Sequence, residues 1–100
     1  MSVYIINNML IHDRATYDRY TRAFLPFFLQ HGGEVIAVKD DPQPLEGAWP
    51  WHRTAILRMP SEAQLRAWYD SPEYQELAAL RRSATECNIT VLPEFVMPGR

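Results

Sequence analysis

The stretch Val3 to Ile11, VYIINNMLI, is β-branched and apolar on both sides of a pleated strand, and few small folds accommodate such a strand. One face carries Val3, Ile5, Asn7, Met9 and Ile11; the other carries Tyr4, Ile6, Asn8 and Leu10. Thr54-Ala55-Ile56-Leu57 and Ile89 to Leu92 repeat the pattern. An antiparallel sheet with one face in water alternates apolar and polar residues, so this sheet is expected to be covered on both faces. The 100 residues make one domain, spanning 1–100, with two helical segments between strands. Right-handed crossovers place both segments on the same side. The opposite face then needs a cover from outside the chain, and a second copy, sheet against sheet, is the simplest one. We therefore expect a homodimer.

The first strand ends at His12-Asp13, and Asp13 is a plausible helix N-cap. Tyr17, Tyr20, Phe24, Phe27, Phe28 and His31 then recur every three or four residues along one helical face, and Gly32-Gly33 stop it. Pro26 sits inside that pattern and predicts a kink. Glu34 to Lys39 reads as a short strand, and DDPQPLEGAWPW after it as irregular chain. His52 to Met59 is the third strand. Ser61 with Gln64 forms a capping-box signature for a short helix through Trp68 and Tyr69, and Ser71-Pro72 open the next turn of helix. There Tyr74, Leu77, Ala78 and Arg81 share a face. Ile89 to Phe95 is the last strand. The fold class is α+β of β-α-β-β-α-β type: a four-stranded antiparallel sheet in the order 4-1-3-2, with helices on one face.

Basic and acidic residues number 10 and 12 and are scattered, for a net charge of −2, so no basic stripe exists to neutralise a phosphate backbone. Nucleic acid is not an expected partner. No apolar run approaches the roughly 20 residues that span a bilayer, and a membrane is not expected either. Cys87 is the one cysteine, and the N-terminus lacks the charged-then-apolar pattern of a signal peptide, so a cytoplasmic location is expected. His12, His31 and His52 share no metal-ligand spacing, and no Gly-rich phosphate loop occurs; neither a metal nor a cofactor is expected.

Several residues carry candidate chemistry. Arg81 shares its face with Tyr74 and apolar side chains, where a guanidinium needs either a bound anion or a carboxylate such as Glu46 or Glu73. Glu46 lies among Leu45, Trp49 and Trp51, a setting that raises a carboxylate into the range of a general base; pairing with arginine or with loop amides is its commoner role. Trp49, Trp68 and Tyr74, with Tyr17, Tyr20 and Tyr69, are able to line an aromatic-binding cavity or to form plain core. Asn7 and Asn8 point to opposite faces, so one of them meets the helices. The expected site is built from Trp68, Tyr74 and Arg81 with Glu46 at its edge. The loop Trp49-Pro50-Trp51 is expected over the subunit boundary or as a cap on the pocket.

Tyr17-x-x-Tyr20, His31-Gly32-Gly33, Leu45-Glu46-Gly47-x-Trp49-Pro50 and Trp68-Tyr69-x-Ser71-Pro72-Glu73-Tyr74-Gln75 with Arg81 together resemble the bacterial family catalogued as domain of unknown function 1330. The resemblance implies a ferredoxin-like subunit of the dimeric α+β-barrel superfamily. That superfamily includes cofactor-independent monooxygenases, haem-degrading oxygenases and muconolactone isomerases. Haem-degrading members take an iron ligand from a His on the last helix, and the last helix here has none. Three functions remain open. The chain is a cofactor-independent enzyme, of oxygenase or isomerase type, acting on a small aromatic or unsaturated acid; or a non-catalytic ligand-binding or stress-related dimer; or a structural dimer whose cavity its own side chains fill.

Overall fold

A computed structural model describes residues 1–99. The chain runs β1 (Val3–Ile11), α1 (Arg14–Gln30), β2 (Glu34–Asp40), β3 (Arg53–Met59), α2 (Glu62–Tyr69), α3 (Pro72–Ala84) and β4 (Thr85–Pro93). The strands form one antiparallel sheet in the order β2-β3-β1-β4, so β1 and β3 are central, as their two-sided apolar pattern requires. The crossover region between β3 and β4 holds two helices rather than one continuous segment.

Local chemistry sets the helix ends. Asp13 accepts from the Thr16 amide at 3.1 Å, Ser61 from the Gln64 amide at 3.0 Å and Ser71 from the Tyr74 amide at 3.1 Å. Gln64 does not complete a reciprocal capping box: its Nε2 donates instead to the His31 carbonyl at 3.2 Å and ties α2 to the end of α1. Gly32 takes φ +88 at the stop of α1, a backbone conformation that side chains disfavour. α1 runs on through Pro26. β4 begins four residues before the expected Ile89, straight out of α3, and ends at Pro93 rather than Phe95. Its early part, Thr85-Glu86-Cys87-Asn88, is weakly apolar but pairs with Ile11 to Asn8, so that β4 as a whole runs the full length of β1.

On the helix-facing side of the sheet lie Ile5, Asn7 and Met9 of β1, with Leu57, Ala55 and Arg53 opposite them on β3 and Val91 and Ile89 on β4. An irregularity between Val35 and Ala37 brings both Val35 and Val38 of β2 onto this same side. Above it, a row of rings runs along α1: Tyr17 and Tyr20 are tilted at 6.0 Å, while Tyr20–Phe24 at 5.5 Å and Phe24–Phe28 at 4.9 Å between centroids are stacked. Trp68 joins the row edge-on to Phe28 at 4.9 Å and lies 4.4 Å from Tyr74. Gly33 makes this packing possible, since a Cβ there would sit 2.4 Å from the Phe28 ring.

The other side of the sheet carries Tyr4, Ile6 and Leu10 of β1, Ile56 of β3 and Leu92 of β4, none of them buried within the single chain. The chain between β2 and β3, residues 41–52, folds toward this open side: Trp49 Nε1 donates to Thr54 Oγ1 at 3.1 Å, and Thr54 Oγ1 donates to Asn8 Oδ1 at 2.9 Å. Among the described residues no helix is long and apolar enough to cross a membrane.

Candidate functional site

A cavity of about 370 Å³ lies between the sheet and the helices. Its floor is Ile5, Asn7, Met9, Arg53, Ala55 and Leu57; its walls include Tyr17, Tyr20 and Phe24 from α1, Trp68 and Tyr69 from α2, and Tyr74 from α3. This size and aromatic lining, with few polar groups, are those of a small-molecule pocket.

Asn7 is therefore the amide that meets the helices, while Asn8 is on the open side with Thr54. Three polar atoms on lining side chains are buried without any hydrogen-bond partner among the described residues: Asn7 Oδ1, Arg53 Nε and Trp68 Nε1. Leaving such a group unpaired costs about 1–3 kcal/mol each, so three around one cavity call for a partner from outside the chain.

Arg53 is fixed by Asp40, whose Oδ1 accepts from Nη1 at 2.6 Å, and its guanidinium carbon lies 5.7 Å from the Tyr17 ring centre. Arg14 reaches the other oxygen of Asp40 at 3.1 Å and also pairs with Asp18. The Arg53 hydrogen bond is the main cause holding the Asp40 carboxyl below its usual range.

Tyr20 and Tyr74 share a buried hydroxyl–hydroxyl hydrogen bond of 2.7 Å. Burial pushes Tyr20 well above the ordinary phenol range, Tyr74 adds to this, and Arg81 opposes it. Burial disfavours the charge of Arg81, while Tyr74, Tyr20 and Cys87 act in the opposite direction; a guanidinium is protonated throughout the ordinary pH range.

The structure brings Trp68 and Tyr74 together in the cavity wall, with Arg81 beside Tyr20 and Tyr74 but not in the lining. Arg81 forms none of the ion pairs among the described residues, so neither Glu46 nor Glu73 compensates it. Glu46 and Trp49 sit elsewhere, in an exposed depression of the 41–52 loop together with Leu45 and Thr54. Arg53 escaped the sequence reading. Its signal was there, a charged residue in period-two register with Ala55, Leu57 and Met59 on the buried face of β3.

The histidines have separate partners: His12 Nε2 meets Glu86 at 2.7 Å, His31 Nδ1 donates to the Phe27 carbonyl at 2.9 Å, and His52 Nδ1 accepts from the Ile11 amide at 2.9 Å. Among the described residues no group of three or more His, Cys, Asp or Glu is placed to hold a metal ion.

The element order, sheet topology and one-sided helices define a ferredoxin-like α+β fold. Solved structures share it: protein RPA0582 of Rhodopseudomonas palustris, of unknown function, is 20% identical over 96% of this chain and 84% of its own, with a TM-score of 0.82. SnoaB, a cofactor-independent oxygenase from Streptomyces nogalater, is 11% identical over 99% of this chain and 98% of its own, at a TM-score of 0.71. A dimeric ferredoxin-like protein of unknown function from Jannaschia sp. CCS1 is 12% identical over 94% of this chain and all (100%) of its own, at 0.68. No curated protein matches the sequence significantly. Residues 2–95 match the domain of unknown function DUF1330, and the chain belongs to that family.

Proposed function

We propose that the protein is a homodimer that binds a small oxygenated aromatic or unsaturated acid beneath its helices and transforms it without a bound cofactor, either by oxygenation with dioxygen as the oxidant or by isomerisation through proton transfer. The observation that carries this reading is the set of unpartnered polar atoms on Asn7, Arg53 and Trp68 around one aromatic-lined cavity. Trp68 Nε1 and Arg53 Nε are donors and Asn7 Oδ1 is an acceptor, so a molecule with carbonyl and hydroxyl oxygens carries the complementary group types. The Tyr20–Tyr74 hydroxyl pair supplies a proton-carrying group in the cavity wall. The cofactor-independent oxygenase SnoaB shares the fold.

A non-catalytic binding role has one observation in its favour: no carboxylate or imidazole is among the residues lining the cavity. For the homodimer, support comes from the open apolar sheet side, from the exposed Leu45, Phe95, Val96 and Met97, and from fold relatives described as dimeric.

Thermal melts of the purified protein with salicylate, juglone and para-nitroanisole test the binding claim. A ligand at a hundredfold excess over its Kd stabilises by about 2.7 kcal/mol and raises Tm. Unchanged melting with every compound contradicts a ligand cavity. Oxygen consumption or product formation with the stabilising compound then separates enzyme from binder; a bound but unaltered ligand favours the binder.

A further inference from the structure

Arg81 is a buried cation for which the described residues supply no anion. It is 4% exposed on α3, its Nε has no partner, and it takes part in none of the ion pairs among the described residues. The groups that face it are Tyr20 from α1, whose ring centre is 6.0 Å from the guanidinium carbon, Tyr74 from α3 and Cys87 from β4. None is a carboxylate. The two cations that do line the cavity differ in this respect, since Arg53 pairs with Asp40 and Arg66 with Asp70. An uncompensated buried charge is costly, and its cost falls when an anion comes within reach.

Tyr20 and Tyr74 connect that charge to the cavity, because both line it and both interact with Arg81. Two hydroxyls joined by one hydrogen bond use one of their two hydrogens internally. One O–H is left to donate. An acceptor that carries negative charge gains most from it, since charge-assisted hydrogen bonds are roughly twice as strong as neutral ones.

We propose that the cavity takes its aromatic ligand as an anion, a phenolate or enolate, whose oxygen accepts from the Tyr20–Tyr74 pair while Arg81 behind it carries the compensating charge. This rests on the ligand-binding reading above and adds the ionisation state of the ligand and the end of the cavity that holds its oxygen. Binding a neutral phenol in this way breaks its O–H bond and releases that proton to solvent; Arg81 keeps its own protons and is a positioning residue.

The test uses the full-length protein with para-nitrophenol, which ionises near neutral pH with a visible colour change, and para-nitroanisole, its uncharged methyl ether. Titrating bound para-nitrophenol should give a midpoint at least about one pH unit below that of the free compound, a tenfold preference for the phenolate. Arg81→Met should lose most of that shift and still bind para-nitroanisole as the wild type does. Tyr20→Phe preserves ring volume if Arg81→Met fails to fold, and it should weaken the shift as well. A midpoint that is unchanged or raised in the wild type overturns the inference, as does a shift that survives in both variants, while para-nitroanisole binding leaves the cavity reading intact. Failure of both compounds to bind overturns the two together.

Discussion

Gly33 shows how one residue governs the packing of the aromatic row. A Cβ at this position would lie 2.4 to 2.5 Å from three carbons of the Phe28 ring, and Phe28 is wholly buried between Phe24 and Trp68. Gly33→Ala must displace that ring, and overpacking of this kind costs about 1–3 kcal/mol. Urea denaturation should record a loss of that size, and an unchanged midpoint would show that Phe28 has room to yield. At the same scale, the aromatic members of the site were legible in the sequence because helical spacing put Tyr17, Tyr20, Phe24 and Phe28 on one face. Glu46 drew attention through its aromatic sequence neighbours, yet neighbours along an irregular chain do not define surroundings in space. Asn7 could not be separated from Asn8 until the register of β1 set which of them faces the helices.

Among the elements, β1, α1, β2, β3, α2 and the start of α3 were readable almost to the residue, since the helices combine a clear period with a capping residue and the strands are apolar or β-branched runs that end at breaking residues. β4 was not. Its first four residues gain their extended form from pairing with β1, and that long-range cause leaves little trace in local composition. The pairing of edge strand β2 with β3 also depends on a group that spacing alone does not reveal: Asp40, joined to Arg53 of β3 and Arg14 of α1. Its folded pKa lies below the unfolded value, so its contribution is full above the ordinary carboxylate range and disappears as pH falls through the lowered folded value. Asp40→Asn should therefore lower the denaturation midpoint at neutral pH and converge on the wild type in strong acid. A difference that stays constant with pH would assign the effect to packing instead.

At the scale of the whole molecule, the two sides of the sheet divide the work. The helix side encloses the cavity; the open side, with Ile6, Ile56 and Leu92, has the apolar character of an interface, and the Trp49 loop folds toward it through Thr54 and Asn8. Ile56→Glu should convert the proposed dimer to a monomer in sedimentation equilibrium at micromolar concentration, because a carboxylate there has no partner in a sheet-to-sheet contact. A dimer of undiminished strength would move the interface elsewhere. The central claim, that the cavity beneath the helices is the ligand site, is tested most directly by the three indole N–H resonances of the protein, assigned by single Trp→Phe substitutions. Adding juglone should shift the Trp68 resonance strongly downfield as its unpartnered Nε1 gains an acceptor, with the Trp49 resonance nearly still. A Trp49 shift with Trp68 unmoved would contradict the account and place binding in the loop.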